Sequence, residues 1–403
     1  MDQKKYDIVV VGGGGAGLNV AYQLSKFKKY KIAVVDGKSD LLKLSFHTLA
    51  SFIDIERFDL TRNVVATDIT EVVFYSSNEK ANIKCKGYII DKVKLHEELL
   101  VLCKKNNVDI FCKEKIEKFD KDEKGNISKI VGKTSTFEAK IFIDATGATG
   151  FFSKKFDLQQ EKIPVAVGLE YNVKYLGKDS QAHLLIGKVF KSGYGWIFPL
   201  NNNRAIIGCG SFNESEIRDM KSNLDEMFEH KLIKGLVQKD NSRLYSGFIP
   251  ITDPVKDVVF KNVVCVGDSV SQVNPIVGEG YRFVMEAGLI AAPFIDQAIQ
   301  RDDNSILYGY QKAWNKKYYD TYKGSRILQR LADRTSQSDK NSNTVVRCLK
   351  LVPDKYFIKL LKGEVNSYQP ILIPYYAKKI IKFPFKLLKG MSSESNKDRL
   401  LSK

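Results

Sequence analysis

Cysteine is scarce in this sequence, and its placement excludes most cysteine chemistry. The six cysteines among 403 residues are scattered, with no pair two residues apart and no histidine at ligand spacing. Zinc knuckles, iron–sulfur clusters and disulfide frameworks need closer or more regular spacing. We therefore expect no metal site, and we expect buried thiols in a reducing cytoplasm.

Long apolar runs are also missing. No uninterrupted apolar stretch approaches the ~20 residues that a membrane-spanning helix needs. The first strand-like segment begins at residue 6, which leaves no room for a signal peptide. These patterns predict a cytoplasmic protein, either free or peripheral at the inner face of the membrane.

Acidic residues are few relative to basic ones. The sequence has 47 Asp and Glu against 64 Lys and Arg, which gives a formal net charge of +17. A surface of this sign attracts anions, such as nucleic acid, an anionic membrane or an acidic protein. Because no known nucleic-acid-reading module accompanies the charge, we expect no nucleic acid partner.

The hydrophobic pattern is that of a large folded protein. Hydrophobic residues make up 43% of the chain, and its length is typical of two or three domains. The pattern predicts strands at 6–11 and 31–35 around a helix at 15–27, which form one βαβ unit. Alternating stretches across residues 164–212, broken by glycines, predict an antiparallel sheet. Beyond residue 305 the pattern is helical and basic.

A glycine-rich segment follows the first predicted strand. Residues 12–17 satisfy G-x-G-x-x-G at the junction of a strand and a helix. Gly12 suits the tight turn, Gly14 lets a pyrophosphate approach the backbone, and Gly17 lets the helix pack closely on the strand. The helix N-terminus supplies N–H donors to the diphosphate. Asp36, at the end of the second strand, is placed to accept hydrogen bonds from an adenosine ribose.

A second glycine-bearing turn lies far along the chain. Gly267 and Asp268 follow the predicted strand at 262–266, and residues 274–280 read Asn-Pro-Ile-Val-Gly-Glu-Gly before an apolar helix. An aspartate there can bind a polyhydroxyl chain, and exposed N–H groups can stabilise negative charge on a reduced isoalloxazine. We expect the two turns to converge on opposite ends of one flavin nucleotide.

These segments, together with residues 144–147, resemble the FAD-binding pattern of the glutathione-reductase-like flavoproteins, in their p-hydroxybenzoate-hydroxylase branch. The resemblance covers roughly residues 5–300. Within that branch the sequence is most similar to the geranylgeranyl reductase family of FAD-dependent oxidoreductases. The substrate motif of that family, P-x-x-Y-x-W-x-F-P, is matched by Tyr194, Trp196, Phe198 and Pro199, with Lys191 in its first position.

The resemblance implies an α/β fold and FAD as the cofactor. It implies a doubly wound FAD-binding domain (1–160 and 245–300), an inserted antiparallel substrate-binding sheet (161–244), a helical basic C-terminal region (301–390) and a flexible tail (391–403). The residues that it assigns to FAD are Gly12, Gly14, Gly15, Ala16, Gly17, Asp36, Lys92, Ala145, Gly147, Gly267, Asp268, Val277, Gly278 and Gly280.

The implied activity is reduction of C=C double bonds in a long isoprenoid lipid by hydride transfer from reduced flavin. Tyr194 and Trp196 would line the lipid channel, and the tyrosine hydroxyl could orient or protonate the substrate. Archaeal members of the family carry a Lys-Pro-Cys-Gly stretch where this sequence has residues 44–49, so His47 is a second candidate proton donor. An acidic electron donor such as ferredoxin, or a nicotinamide, would supply the electrons.

Other functions fit the same motifs. They are a lycopene-cyclase-like enzyme, an FAD monooxygenase, a flavin halogenase and a non-catalytic prenyl-lipid carrier. The intact glycine motif with Asp36 favours an enzyme over a carrier.

The end of the chain is basic and amphipathic. Between residues 350 and 389 nine lysines stand against two acidic residues, interleaved with aromatic and aliphatic side chains. Such a segment can lie on an anionic membrane. A solvated helical face that packs on the FAD domain is the alternative.

Overall fold

The protein, as a computed structural model, is described over residues 2–159, 164–190, 193–213, 217–240 and 242–369. Its strands are β1 (Asp2–Lys5), β2 (Ile8–Val11), β3 (Ile32–Val35), β4 (Thr48–Ser51), β5 (Val65–Tyr75), β6 (Lys80–Asp91), β7 (Asp109–Phe111), β8 (Lys118–Lys121), β9 (Ile127–Val131), β10 (Ser135–Glu138), β11 (Ile141–Asp144), β12 (Val165–Tyr175), β13 (Gln181–Leu185), β14 (Gly193–Leu200), β15 (Arg204–Ser211), β16 (Val237–Gln238), β17 (Leu244–Pro250), β18 (Val259–Phe260) and β19 (Val263–Cys265). Its helices are α1 (Gly15–Ser25), α2 (Lys92–Lys105), α3 (Phe151–Lys155), α4 (Met220–Met227), α5 (Tyr281–Arg301), α6 (Tyr308–Trp314), α7 (Asp320–Ser336), α8 (Asp339–Leu349) and α9 (Asp354–Leu361).

The first sheet is the one that carries both glycine turns. Its strands lie in the order β18-β19-β11-β2-β3-β7, and all neighbours are parallel except β18 and β19. Strands β2 and β3 are buried at every residue, so their sequences are continuous apolar runs. Helix α1 joins them, and Asn19 within it donates hydrogen bonds to the carbonyls of Val284 and Met285 in α5. The predicted α/β fold class is confirmed.

A smaller sheet packs against the first one through aromatic side chains. Its strand order is β1-β10-β9-β8. The ring of Phe137 in β10 lies 5.2 Å from that of Phe111 in β7, between centroids. The ring of Phe119 in β8 lies 5.5 Å from that of Phe152 in α3.

The third sheet is the largest, with nine strands. Its path is β16-β12-β15-β14-β13-β5-β6-β4, and β17 adds to β12. The strands between residues 164 and 212 are those expected from the glycine-broken alternation. The sheet also includes residues 48–91, which the predicted domain division had placed with the FAD-binding segment. The residues of β6 alternate between exposed and buried. This pattern is that of a strand with one face in solvent, unlike the fully buried strands β2 and β3 of the first sheet.

The C-terminal helices cover part of this large sheet. The ring of Phe357 in α9 packs on Phe74 of β5 with centroids 4.7 Å apart. Val346 of α8 and Leu361 of α9 belong to the same buried cluster. The helical character predicted beyond residue 305 is therefore present as far as the end of α9 at Leu361. The basic segment and the predicted tail beyond residue 369 lie outside the described residues. Within the described ranges, no helix combines the length and apolar character needed to cross a membrane.

Candidate active site

The first glycine turn joins β2 to α1, and two of its glycines are fixed by close packing. Gly12 has a φ of 107°, and a Cβ on it would overlap the carbonyl oxygen of Ala145. A Cβ on Gly17 would overlap the carbonyl oxygen of Gly12, because the helix lies directly on the turn. Gly14 differs, since nothing lies within 4 Å of its Cβ position. The N-terminus of α1 is therefore open to an anionic group.

Asp36 lies at the end of β3, beside this turn. Its two carboxylate oxygens accept hydrogen bonds of 2.7 Å from the N–H groups of Gly13 and Lys38. A carboxylate offers about four acceptor positions, so both oxygens retain capacity for the hydroxyls of a ribose.

The second glycine turn lies against the first. Gly267 has a φ of 74°, and a Cβ on it would lie 2.8 Å from the Cβ of Ala16. Tyr281, the first residue of α5, covers Gly15, where a Cβ would lie 2.8 Å from the tyrosine ring. The starts of α1 and α5 therefore border one common space, as a ligand held at both ends requires.

Charged side chains with shifted pKa values line this space. Burial lowers the pKa of Lys92, at the start of α2, to about 8. Burial raises the pKa of Asp268 to about 6 and that of Glu170, in β12, to about 8, while the Lys92 charge opposes both shifts. The Lys92 ammonium also lies 5.1 Å from the centroid of the Tyr281 ring. A cation and two carboxyl groups thus face one space.

The residues at both turns fit FAD. The start of α1 is open at Gly14, where a diphosphate would lie, and Asp36 would hold the adenosine ribose. Asp268 lines the cavity, and among the described residues none forms a hydrogen bond with its carboxylate. This carboxylate could therefore accept hydrogen bonds from the hydroxyls of a ribityl chain. Lys92 supplies a positive charge nearby.

Tyr194 connects the large sheet to the second turn. Its hydroxyl donates a hydrogen bond of 2.6 Å to the carbonyl of Val277. The turn is further closed by hydrogen bonds of 2.8 Å from the Gly278 N–H to the Asn274 carbonyl and from the Asn274 N–H to the Glu279 carbonyl. Tyr194 therefore positions the backbone on which the edge of an isoalloxazine would lie.

On the face of the large sheet that borders this space, glycines form a row, which we call the glycine floor. Aromatic rings lie over it. Gly247, Gly168 and Gly210 form one row across β17, β12 and β15. A Cβ on Gly168 would lie 2.9 Å from the ring of Phe46 and 3.4 Å from that of Trp196. Trp196 in turn stacks on Phe198 with centroids 6.1 Å apart. The missing side chains leave room for flat or chain-like ligands.

One cavity of about 1330 Å³ includes both turns, the glycine floor and the aromatic wall. Ligand pockets usually measure about 300–1,000 Å³, so this cavity has room for a cofactor together with a second molecule. Its far end is lined by α7, α8 and α9, which contribute the apolar side chains of Leu331, Leu349 and Phe357.

The predicted site residues divide into two groups. Lining the cavity are Gly14, Gly15, Ala16, Lys92, Ala145, Gly147, Tyr194, Trp196, Asp268, Val277, Gly278 and Gly280. Gly12, Gly17 and Gly267 shape the turns behind the cavity, and Asp36 adjoins the first of them. The ring of His47 packs on Tyr245, with centroids 4.7 Å apart, and His47 is absent from the lining among the described residues.

Sequence reasoning missed Phe46, Glu170 and the row of glycines. The sequence does not mark Glu170 as a site residue, because it stands in β12 between Leu169 and Tyr171. An acidic residue between two apolar ones in a strand has the pattern of a solvent-facing residue.

Comparison with known proteins agrees with the geometry. The family model described as lycopene cyclase protein matches residues 7–381. A digeranylgeranylglycerophospholipid reductase of Methanocaldococcus jannaschii is 25% identical over 92% of this chain and 97% of its own length. A second one, from Methanopyrus kandleri, is 26% identical over 94% of this chain and 100% of its own length.

Solved structures show the same fold. A geranylgeranyl bacteriochlorophyll reductase-like protein of Thermoplasma acidophilum superposes with a TM-score of 0.81 at 19% identity, covering 94% of this chain and 100% of that one. A flavin-dependent brominase superposes with a TM-score of 0.67 at 17% identity, covering 86% of this chain and 94% of its own. The curated digeranylgeranylglycerophospholipid reductases are thus similar to this chain over nearly its whole length, and by its family model the chain belongs to the lycopene cyclase protein family.

Proposed function

We propose that this protein reduces C=C double bonds of a long isoprenoid lipid of the geranylgeranyl type, with FAD as its cofactor. The observation that carries the proposal is the single cavity that joins the two glycine turns to an apolar channel. The curated relatives named digeranylgeranylglycerophospholipid reductases support the same substrate class.

Each part of the cavity has a role in this reaction. Bound, reduced FAD supplies the hydride. The N–H groups of residues 279 and 280 and the start of α5 would stabilise negative charge on the flavin. Trp196 and Phe198 would hold the isoprenoid chain, whose methyl-bearing units pack well on aromatic faces. The C-terminal helices would surround the isoprenoid chain with apolar side chains.

The test is the mass of the lipid after anaerobic turnover with dithionite as the electron source. A reductase adds two hydrogens for each double bond that it saturates. A cyclase leaves the mass unchanged, a monooxygenase or halogenase needs oxygen, and a carrier purifies without flavin colour. Unchanged lipid mass from an FAD-loaded preparation would overturn the proposal. The matched control is the same reaction with the fully saturated lipid.

The mouth of the cavity supports a proposal about the membrane. Leu351, Tyr356 and Tyr368 line the cavity, yet each is more than half exposed. The exposed Lys355 and Lys359 flank them on α9. Apolar side chains surrounded by lysines suit the interface of an anionic membrane. We therefore propose that the lipid enters here from a membrane on which the protein lies peripherally.

For the electron donor we propose an acidic redox protein rather than a nicotinamide. A net charge of +17 favours association with an acidic redox protein such as ferredoxin. If such a protein is the donor, the rate of FAD reduction should fall as ionic strength rises. Fast reduction by a nicotinamide, independent of salt, would overturn this choice.

A further inference from the structure

Glu170 occupies a defined row on the cavity face of the large sheet. It pairs with Gly208 of β15 on one side and with Tyr245 of β17 on the other. Gly208 pairs in turn with Trp196 of β14. Side chains in one row of a sheet point to the same face. Glu170 and Trp196 therefore flank a glycine, and a Cβ on Gly208 would overlap the indole, which lies across that gap.

The carboxyl of Glu170 is enclosed but faces the cavity. The residue is 4% exposed, and it lines the cavity with Lys92 and Asp268. It is thus a buried acid placed between the aromatic wall and the polar end of the site. A carboxyl group in such surroundings favours its protonated form, and its pKa is raised to about 8 by burial.

Lys92 and Asp268 also line the cavity, but both would face the cofactor, and three further candidate donors are engaged elsewhere. The hydroxyl of Tyr194 donates to the Val277 carbonyl. The ring of His47 packs on that of Tyr245, and His47 is not among the described residues that line the cavity. The Nε2 of His96 lies 2.7 Å from the Tyr281 hydroxyl at the diphosphate end, and burial lowers the pKa of this histidine to about 3.

We propose that Glu170 is the general acid of the reduction. This inference rests on the proposed function. One alkene carbon takes a hydride, with its two electrons, from reduced FAD, which is thereby oxidised. The O–H bond of Glu170 breaks, and its proton forms the new C–H bond at the other alkene carbon. The carboxylate that remains regains a proton from solvent before the next turnover.

Several charged or titratable groups face Glu170 and set its titration. Lys92 of α2 favours the carboxylate, and the side chain of Trp196 does the same. Asp268, in the second turn, also titrates beside Lys92. Tyr245 adjoins from β17. The proton on Glu170 should therefore be lost as pH rises through about 8, and the rate of lipid reduction should fall over the same range.

The experiment uses the FAD-loaded full chain and the variant Glu170→Gln. The matched control is Glu71→Gln, an equal change in β5 of the same sheet at a residue outside the cavity lining. After anaerobic reduction with dithionite, a geranylgeranyl lipid is added and flavin absorption is followed. We expect lipid-driven reoxidation to slow by roughly 100-fold or more in Glu170→Gln, with FAD content unchanged and the control like wild type. Glu170→Asp should recover part of the rate.

A second readout does not depend on turnover. Infrared spectra of protein labelled with ¹³C-glutamate should show the carbonyl band of one protonated carboxyl group near neutral pH. That band should disappear with rising pH, and it should be missing in Glu170→Gln and Glu170→Asp. A wild-type rate in Glu170→Gln, or the absence of the band, would overturn the inference. If wild type itself is not reoxidised by the lipid, the proposed function fails instead, whatever the infrared result.

Discussion

The hydroxyl of Tyr194 donates a hydrogen bond of 2.6 Å to the carbonyl of Val277, which links the large sheet to the second glycine turn. The tyrosine of the aromatic motif thus holds the flavin-side backbone, and its proton is directed away from the lipid channel. This contact separates the role of Tyr194 from that of Trp196, which forms the wall of the channel.

Tyr194→Phe should weaken FAD binding without removing the proton that the reaction needs. The variant leaves the Val277 carbonyl without its partner, which costs about 1–3 kcal/mol. We expect the dissociation constant for FAD, measured by flavin fluorescence, to rise by roughly tenfold. The pH profile of lipid reduction should keep its shape. If FAD affinity is unchanged and reduction is abolished, Tyr194 is the proton donor.

Gly14→Ala and Gly17→Ala should differ although they lie in one turn. A Cβ added at position 17 would overlap the Gly12 carbonyl, so Gly17→Ala should destabilise the apoprotein by several kcal/mol, on the order of an overpacked core. A Cβ added at position 14 meets nothing, so Gly14→Ala should keep its melting temperature and lose FAD affinity. Thermal denaturation and flavin content measure the two effects. Equal melting temperatures would contradict the packing described.

Gly247→Ala should reduce lipid turnover while leaving the fold intact. Its new methyl group would press on the ring of Phe46, so the ring must move into the cavity. We expect KM for the lipid to rise about tenfold, with little change in FAD affinity. Ser246→Ala, an exposed neighbour on β17, is the control. Unchanged KM in Gly247→Ala would show that the lipid does not approach this floor.

Asp268→Asn should stabilise the apoprotein, increasingly so at higher pH. Burial raises the pKa of Asp268 from 3.8 to about 6. The folded state therefore binds the proton more tightly than the unfolded state, and stability is lost as pH rises from about 4 to 6. Urea denaturation should show a stability advantage of the variant that grows by about 1 kcal/mol between pH 5 and pH 8. FAD affinity should fall in the same variant, because the ribityl partner is changed. An advantage that shrinks with pH would contradict the buried position of Asp268.

Charge reversal on α9 should release the protein from anionic vesicles. Each lysine near such a surface contributes about 1 kcal/mol, so Lys355→Glu with Lys359→Glu should weaken binding by at least roughly 30-fold in a flotation assay. Lys174→Glu with Lys178→Glu makes the same change away from the cavity mouth. If both pairs weaken binding equally, only overall charge matters and the mouth of the cavity is not the docking surface.

Local features of the fold were predictable from the sequence. The βαβ unit, its glycines and Asp36 lie within a short stretch. Their structure depends on hydrophobic periodicity and on turn residues, and both can be read from residues that are close together in the sequence. The chain's resemblance to known flavoproteins supplied the pairing of the two turns.

What the sequence could not supply depends on distant contacts. Glu170 joins Lys92 and Asp268 only because three separate segments fold together, and no local pattern marks a strand carboxylate as buried. The hydrogen bond of Tyr194 likewise depends on where the second turn lies. Strand β6 alternates between exposed and buried residues, yet its place in the large sheet is set by its pairing with β5 and by the parallel pairing of β13 with β5.

The central claim is that FAD and an isoprenoid chain share one cavity. It is tested most directly by following the flavin spectrum of the dithionite-reduced protein while a geranylgeranyl lipid is added without oxygen. The account predicts that the oxidised flavin band returns, with one double bond saturated for each FAD reoxidised. A reduced flavin that persists at saturating lipid would contradict it.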